Sequence, residues 1–183
     1  AFKKEFAAIN ADASVDGILM LRPLPKQINE QDIEKMIDPA KDLDGISPVN
    51  IAKVFSGDTS GFAPCTAEAV VCMLKMNDIA LSGKRVAVVG RSMVVGRPLS
   101  MLLLHENATV TICHSRTASL PEVCREADIL TACVGKAAMI NHTYVKKDAV
   151  VIDVGINIDE NGKLCGDVDF ADLECEASAK SVT

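Results

Sequence analysis

Short apolar runs alternate with amphipathic stretches from residue 85 onward. The runs have the length and the β-branched composition of buried strands, which are predicted at residues 85–89, 109–113, 129–134 and 150–154. Helices are predicted between them, over residues 98–107 and from the capping-box-like segment Ser119-Leu120-Pro121-Glu122 to about residue 127. Buried strands that alternate with helices are typical of a parallel sheet covered on both faces, so we predict an α/β fold.

The first part of the chain has shorter elements separated by turns. Phe2, Phe6 and Ile9 have the spacing of one helix face, which predicts a helix at the beginning of the chain. The apolar run 16–21 predicts a short strand. It ends before Pro23, where a Pro-Leu-Pro sequence forces an extended loop.

Polar residues mark the starts of the helices that follow. Asn29 is placed to cap a short helix that ends before residue 39. The polar segment 41–60 is predicted to be a loop with one short helix. A further helix is predicted over 67–77, with Thr66 as its N-cap.

The change of pattern across residues 66–83 predicts a domain boundary. A first α/β segment precedes it, and a segment with the pattern of a dinucleotide-binding fold follows. Both ends of the chain look trimmed, because a helix begins at residue 1 without a cap and Ser181-Val182-Thr183 stops without a turn signal. We therefore interpret the sequence as two domains of which the first lacks its beginning.

Composition narrows the possible classes of function. The chain of 183 residues has a formal net charge of −6 and 3% aromatic residues, which argues against a nucleic-acid-binding surface. Its longest apolar run, near residues 99–104, is too short to cross a membrane. The seven cysteines, without a C-x-x-C pair, predict reduced and mostly buried thiols in a cytoplasmic protein. His105, His114 and His142 are isolated in sequence, so we expect no metal site.

A glycine-containing loop, Val89-Gly90-Arg91-Ser92-Met93-Val94-Val95-Gly96-Arg97-Pro98, joins the first predicted strand of the sheet to the next helix. A dinucleotide-binding fold holds its pyrophosphate at this place, against the free N–H groups of the helix N-terminus. The loop departs from the common G-x-G-x-x-G pattern, because Ser92 holds the middle position and Gly96 lies one residue late. A tight turn without a ligand is the alternative, but the flanking strand and helix favour cofactor binding.

The end of the second predicted strand indicates which cofactor binds. An NAD site usually has an acidic residue about 20 residues beyond the first glycine, where it binds the ribose 2′-hydroxyl. Residues 111–117 contain no carboxylate, and offer His114, Ser115 and Arg116 instead. With Arg91 in the loop, this set favours the 2′-phosphate of NADP. Taken singly, His114 could be bonded to backbone and Arg116 could be a solvated surface charge.

Several segments together resemble the methylenetetrahydrofolate dehydrogenase/methenyltetrahydrofolate cyclohydrolase family. Those in the second half are the glycine loop, Ala108-Thr109-Val110-Thr111-Ile112-Cys113-His114-Ser115, Val151-Ile152-Asp153-Val154-Gly155-Ile156-Asn157 and Gly166-Asp167-Val168. Those in the first half are Asp16-Gly17-Ile18-Leu19, Pro23-Leu24-Pro25, Lys41-Asp42-Leu43-Asp44-Gly45 and Pro64-Cys65-Thr66. They occur in the family's order and cover essentially the whole chain.

The resemblance implies a Rossmann-type NADP domain over residues 67–178 and part of an α/β folate-binding catalytic domain over 1–66. Residues 179–183 would begin the return to the first domain. It also implies a cytoplasmic homodimer in one-carbon metabolism and purine biosynthesis. Its substrate would be 5,10-methylenetetrahydrofolate, oxidised with NADP⁺ to the methenyl compound and then hydrolysed to 10-formyltetrahydrofolate.

The resemblance also implies roles for individual residues. Asp44 would bind the pterin ring of the folate, although an aspartate before Gly45 is also a common turn residue. The cofactor-binding residues would lie on both sides of the glycine loop. They are Gly90, Arg91, Ser92 and Gly96 for the phosphates, His114 and Ser115 with Arg91 for the 2′-phosphate, and Gly155 and Ile156 for the nicotinamide end.

Two departures from the family affect the expected chemistry. Leu21 stands where the family has a glutamine beside a catalytic lysine, and a leucine cannot hydrogen-bond to or orient an amine. We therefore expect dehydrogenase activity to survive and cyclohydrolase activity to be altered or weakened. The family's Tyr-x-x-x-Lys segment, which supplies that lysine, does not occur in these residues, so no general acid or base is assigned. Arg22 could contact the substrate or could be a surface arginine.

Two other functions remain possible at this point. One is a catalytically silent NADP-binding module, which the absent lysine allows. The other is a related two-domain dehydrogenase that acts on an amino acid or a shikimate-like acid.

Overall fold

The fold is a parallel sheet with helices on both faces, preceded by a smaller helical unit. The computed structural model describes residues 1–176 and 180–182. The helices are α1 (Phe2–Ala11), α2 (Glu30–Glu34), α3 (Pro48–Ser56), α4 (Cys65–Met76), α5 (Gly96–His105), α6 (Leu120–Arg125) and α7 (Phe170–Glu176), with a 3₁₀ turn at His142–Tyr144. The strands are β1 (Arg85–Val89), β2 (Thr109–Cys113), β3 (Ile129–Ala132), β4 (Val150–Asp153), β5 (Asn157–Ile158), β6 (Leu164–Cys165) and β7 (Lys180–Val182).

Five strands form one sheet in the order β2-β1-β3-β4-β7, and every neighbouring pair is parallel. The α/β class and the parallel sheet are therefore confirmed. The described part of the segment 179–183 is β7, which lies beside β4 as an edge strand of this sheet. Residues 180–182 therefore extend the sheet, and the return of the segment 179–183 to the first domain stays a prediction. The short strands β5 and β6 pair separately as an antiparallel hairpin.

Alternating side chains of the central strands fill two separate cores, as expected for a sheet covered on both faces. Val86 and Val88 of β1 pack on one face with Leu74 of α4 and Leu103 of α5. Ala87 and Val89 pack on the other face with Cys124 of α6 and Leu130 of β3. None of the described helices is long and apolar enough to cross a membrane.

A third core holds the first unit together, around Phe6 of α1, Ile33 of α2 and Ile46. The predicted first helix is confirmed, although Phe2 and Ile9 are partly exposed. The predicted strand at 16–21 is wrong. Ile18 makes a single bridge to Asp42, because only the short segment 41–43 runs beside it to accept and donate hydrogen bonds.

The fully buried carboxylate of Asp42 shapes the loop that carries Asp44. It accepts hydrogen bonds from the backbone N–H of Ile46 (3.0 Å) and of Ser47 (2.7 Å). It also accepts one from the amide of Asn50 at 2.9 Å. The Ser47 hydroxyl in turn caps α3. The loop is therefore fixed to the start of α3 by charge-assisted hydrogen bonds.

Helix capping was predicted correctly at one of three positions. Asn29 caps α2 through the N–H of Gln31. Thr66 does not cap α4, because the helix already begins at Cys65. The carboxylate of Asp44 accepts the N–H of Cys65 instead. Ser119 does not form a capping box, since its φ of 49° is left-handed and an N-cap needs an extended backbone.

Gly90, directly after β1, provides the clearest test of the sheet's packing. Its φ is 139°, and a Cβ there would lie 2.3 Å from the carbonyl oxygen of Cys133. Gly83 also has a positive φ, of 74°, but a Cβ there would meet nothing within 4 Å. We expect Gly90→Ala to lower the free energy of unfolding by about 3 kcal/mol or more, and Gly83→Ala by only about 1 kcal/mol. Urea denaturation measures both, and equal losses would contradict the close approach at Gly90.

Candidate active-site cleft

The glycine loop forms a compact turn at the carboxyl end of β1. A Cβ on Gly96 would lie 2.3 Å from the carbonyl oxygen of Gly90, so the beginning of α5 lies directly against the end of β1. The hydroxyl of Ser92 accepts a hydrogen bond from the N–H of Val95 at 3.1 Å. Ser92 therefore closes the turn from the position where the common pattern has a glycine. The exposed side chain of Arg91 lies beside it, at the N-terminus of a ten-residue helix.

The end of β2 lies beside this turn. Val89 pairs with Cys113, and the N–H of Gly90 donates to the carbonyl of Cys113 at 2.9 Å. Both loops therefore leave the same edge of the sheet from neighbouring strands, which brings the Arg91 and Ser115 segments close together. An open α/β sheet binds its ligand at this edge, where the strand order reverses. The reversal lies at β1, with β2 on one side and β3 on the other.

A tight turn follows β2. The N–H of His114 donates to the hydroxyl of Thr117 at 2.9 Å, and the Nδ1 atom of His114 accepts from the N–H of Arg116 at 3.1 Å. The alternative interpretation of His114 as a histidine bonded to backbone therefore holds for one ring nitrogen. The side chains of Ser115 and Arg116 are exposed and can meet a ligand.

On the other side of the cleft, Asp44 joins two segments. Its Oδ1 atom accepts the N–H of Cys65 at 3.1 Å, at the beginning of α4. Its Oδ2 atom accepts a hydrogen bond from Arg22 Nη2 at 3.0 Å. The side chains of Asp44 and Arg22 are only 20% and 15% exposed. Since an ionised carboxylate offers about four acceptor positions, Asp44 keeps capacity for a ligand.

Arg22 is thus part of the site rather than a surface arginine. Its Nη1 atom lies 3.9 Å from Oε1 of Glu34, so it lies between two carboxylates. The sequence contains no local signal for this pairing, because Asp44 is 22 positions away. Leu21, the preceding residue, is 79% exposed.

One cavity of about 560 Å³ links the two halves of the site. Arg22 and Glu34 line it with Gly45, the residue after Asp44. Met93 of the glycine loop lines it from the cofactor side. The space between the Asp44 segment and the glycine loop is therefore continuous.

The carboxyl end of β4 completes this edge of the sheet. The N–H of Gly155 donates to Oδ1 of Asp153 at 2.9 Å, and the side chain of Ile156 is 83% exposed. Two buried or half-buried carboxylates, Asp153 and Asp167, hold the loops here. Both lie in segments that carry the resemblance to the family, but no role was predicted for either side chain.

The cysteines near the cleft are poor nucleophiles. Burial, followed by the negative charge of Asp44, raises the pKa of Cys65, whose thiol donates to the carbonyl of Leu43 at 3.2 Å. Burial, followed by the charge of Asp167, raises the pKa of Cys133 to about 12. Because the thiolate is the reactive form, these thiols are unreactive at neutral pH.

The prediction that the cysteines are mostly buried was too broad. Among the six cysteines whose side chains are described, none forms a disulfide and two, Cys65 and Cys72, are exposed. The described residues also contain no group of three or more histidine, cysteine, aspartate or glutamate side chains that could hold a metal ion.

Two family models match the chain. The model for the tetrahydrofolate dehydrogenase/cyclohydrolase catalytic domain matches residues 1–44. The model for the NAD(P)-binding domain of the same family matches residues 64–183. Together they cover both sides of the cleft.

Individual relatives agree with these matches. The bifunctional protein FolD of Clostridium kluyveri is 55% identical over 169 residues, which are 92% of this chain and 60% of that protein. The FolD protein of Clostridioides difficile is 59% identical over 161 residues, or 88% of this chain and 56% of the relative. The chain thus spans about three-fifths of the length of the curated relatives it matches.

Solved structures show the same arrangement. The bifunctional FolD methylenetetrahydrofolate dehydrogenase/cyclohydrolase of Campylobacter jejuni has a TM-score of 0.92 and 39% identity over 97% of this chain and 64% of that one. The Trypanosoma brucei enzyme, solved with NADP and an inhibitor, has a TM-score of 0.88 and 31% identity over 99% of this chain and 64% of that one. The Asp44 segment, the glycine loop and the parallel sheet all lie within these matches, and the chain belongs to the tetrahydrofolate dehydrogenase/cyclohydrolase family.

Proposed function

We propose that the protein oxidises 5,10-methylenetetrahydrofolate with NADP⁺ and then hydrolyses the methenyl product to 10-formyltetrahydrofolate. The observation that carries this proposal is the single cavity of about 560 Å³, which runs from the Arg22–Asp44 pair to the glycine loop. A reduced folate and a nicotinamide must meet for hydride transfer, and this cavity extends from the Asp44 side to Met93 of the glycine loop. The relatives named above support the same pair of reactions.

The residues of the glycine loop fit a dinucleotide. Gly90 and Gly96 allow the end of β1 and the start of α5 to pack against each other, and the exposed Arg91 lies in the loop between them. When bound, NADP⁺ supplies the hydride acceptor, while the protein provides position and electrostatics. Gly90, Arg91, Ser92 and Gly96 would hold the phosphates, and Gly155 and Ile156 would lie at the nicotinamide end.

The turn after β2 supports NADP over NAD. His114 and Ser115 lie at the edge of the sheet next to Arg91, and residues 111–117 contain no carboxylate that could accept a ribose hydroxyl. An arginine, a histidine and a serine hydroxyl can all donate hydrogen bonds to a phosphate. We therefore assign the 2′-phosphate to Ser115 and Arg91, with His114 shaping the turn.

The organisation of the chain follows from the same proposal. Residues 1–66 would form part of the folate-binding catalytic domain, residues 67–178 the NADP domain, and residues 179–183 the start of the return to the first domain. The seven cysteines without a C-x-x-C pair and the resemblance to the family favour the cytoplasm. By its resemblance to the family, the protein would be a homodimer in one-carbon metabolism and would supply purine biosynthesis.

The cofactor assignment is tested on the full-length gene product by following NADPH or NADH absorbance with methylenetetrahydrofolate. We expect kcat/KM to be about 100-fold higher with NADP⁺ than with NAD⁺, because charge-assisted hydrogen bonds to the 2′-phosphate contribute about 3 kcal/mol. Ser115→Asp should reverse this preference, and Ser119→Asp, on the exposed surface beyond the turn, should not change it. A preference for NAD⁺ in the unaltered protein would contradict the assignment. Absence of turnover with either cofactor would favour a silent NADP-binding module.

Leu21 bears on the second proposed reaction, the hydrolysis of the methenyl compound. In that step water must attack the methenyl carbon. At position 21 the family has a glutamine, which lies beside the catalytic lysine. The leucine side chain has no polar atom, and in this structure it is 79% exposed. We propose that the protein is therefore a stronger dehydrogenase than cyclohydrolase.

Restoring the glutamine tests this imbalance. Leu21→Gln should raise the cyclohydrolase rate about tenfold or more, because an oriented general acid or base contributes at least that factor, and should leave the dehydrogenase rate within about twofold. Leu19→Gln is the matched control, since Leu19 lies two residues earlier and is 56% exposed. Equal cyclohydrolase rates in Leu21→Gln and the unaltered protein would exclude the proposed role.

The Arg22–Asp44 pair can be measured by a double-mutant cycle on the free energy of unfolding. Arg22→Met should lower it by about 2 kcal/mol, because a mostly buried carboxylate loses a charged partner. The losses in Arg22→Met and Asp44→Asn should exceed the loss in the double variant by about 1 kcal/mol. Lys3→Met removes an exposed ion pair at 2.6 Å and should change the free energy by only about 0.5 kcal/mol. Strictly additive losses at Arg22 and Asp44 would show that the pair is not coupled.

A further inference from the structure

Asp167 is a fully buried carboxylate at the edge of the sheet where the cofactor is expected. Its Oδ2 atom accepts the backbone N–H groups of Val134 (2.5 Å) and Gly135 (3.1 Å). Its Oδ1 atom accepts the N–H of Lys136 at 2.8 Å and the side-chain amide of Asn157 at 2.9 Å. These four donors in the described residues are neutral N–H groups, so the charge is compensated by dipoles that are fixed in place.

The four donors come from two loops. Residues 134–136 follow β3, and Asn157 follows the turn after β4. Because β3 and β4 are adjacent and parallel, both loops leave the same edge of the sheet. One carboxylate therefore sets the distance between the two loops.

A second carboxylate fixes Asp167 itself. Oδ1 of Asp153 accepts the N–H of Asp167 at 3.0 Å and that of Gly155 at 2.9 Å, and Oδ2 accepts the N–H of Val168 at 3.0 Å. A Cβ on Gly155 would lie 2.3 Å from Cγ of Asp167, and one on Gly166 would lie 1.8 Å from Oδ2 of Asp153. The segments therefore meet with no spare volume, and a change in one carboxylate must displace the loops.

The position of these loops indicates what they do. The strand order reverses at β1. By the general rule for such sheets, a dinucleotide would cross there, with its adenosine end on the β2 side, where Ser115 lies. Its nicotinamide end would then be received on the β3 and β4 side, where the two loops meet. We propose that Asp167 is a positioning residue for hydride transfer, which holds the loops 134–136 and 155–157 at the spacing that the nicotinamide ring requires. This inference rests on the proposed function for the identity of the dinucleotide.

The variant Asp167→Asn tests the inference in the full-length gene product. It keeps the size of the side chain but presents an NH₂ group to two N–H donors, the backbone N–H groups of Val134 and Gly135 at one position or those of Lys136 and the Asn157 amide at the other. We expect kcat to fall about 100-fold, since displacement of a reacting group by about 1 Å has an effect of that order.

The binding control uses adenosine 2′,5′-bisphosphate, a probe of the Ser115 side alone. Its Kd should stay within about twofold, and kcat is normalised to the fraction of protein that binds it. Asp169→Asn lies in the same segment and is the matched control, because among the described residues its carboxylate accepts only the N–H of Asp172, and it should leave both values unchanged.

A spectroscopic signal separates this inference from the proposed function. Bound NADPH should lose its shifted nicotinamide fluorescence in Asp167→Asn and keep it in Asp169→Asn, whether or not the protein turns over a folate. Absence of folate turnover in the unaltered protein would reject the proposed function, whereas an unchanged NADPH signal in Asp167→Asn would reject the positioning role. Equal loss of bisphosphate and NADPH binding would also reject it, because the defect would then be general.

If Asp167→Asn does not fold, the variant Asn157→Ala tests the positioning role of Asp167 instead. It removes one donor from the carboxylate and leaves the three backbone donors in place. We expect kcat to fall about tenfold with unchanged bisphosphate affinity. An unchanged kcat in Asn157→Ala would overturn the inference.

Discussion

The backbone of Gly90 lies against the backbone of Cys133 and against the first turn of α5, and the rest of the fold depends on this contact. A side chain at Gly90 would collide with the carbonyl oxygen of Cys133, and one at Gly96 with that of Gly90. The contact joins the ends of β1 and β3 to the start of α5, so it determines how closely helix and sheet pack. It also places the start of α5 at the edge where the cleft lies, where the N–H of Arg97 donates to the carbonyl of Ser92 and that of Leu99 to the carbonyl of Val95.

Carboxylates also have a structural role at this site, because they accept backbone N–H groups, some from the same loop and some from segments that are distant in sequence. Asp44 caps α4 while it pairs with Arg22, and Asp42 fixes the loop in which Asp44 lies. Asp153 and Asp167 do the same for the loops after β3 and β4. Loops at the carboxyl edge of a parallel sheet have no strand partners for their N–H groups, so side-chain acceptors must supply them. The same residues therefore stabilise the fold and shape the site.

The sequence was sufficient to predict the elements that depend on a local pattern of residues. It was insufficient to predict the contacts between segments that are distant in sequence. The four central strands could be predicted because each is a short apolar run, and the glycine loop because a strand and a helix flank it. The cap of α4 was wrongly assigned to Thr66, since the true acceptor, Asp44, lies 21 positions before Cys65. The pairing of Asp167 with residues 31 to 33 positions away leaves no periodic trace in sequence either. The strand predicted at 16–21 failed for the same reason, because a strand requires a partner that its own sequence does not reveal.

Leu21, where the chain departs from the family pattern, directly precedes Arg22. The two side chains have different surroundings, since Leu21 is 79% exposed and the Arg22 side chain, paired with Asp44, is 15% exposed. An arginine here places a fixed positive charge against the carboxylate assigned to the pterin, while its neighbour loses the polar group that the hydrolytic step would use. Both residues therefore lie on the Asp44 side of the cleft. The loops at the carboxyl ends of β3 and β4 are held by Asp153 and Asp167, whose hydrogen bonds in the described residues come from other segments. This separation is the structural basis for the proposal that the leucine at position 21 affects hydrolysis and leaves oxidation intact.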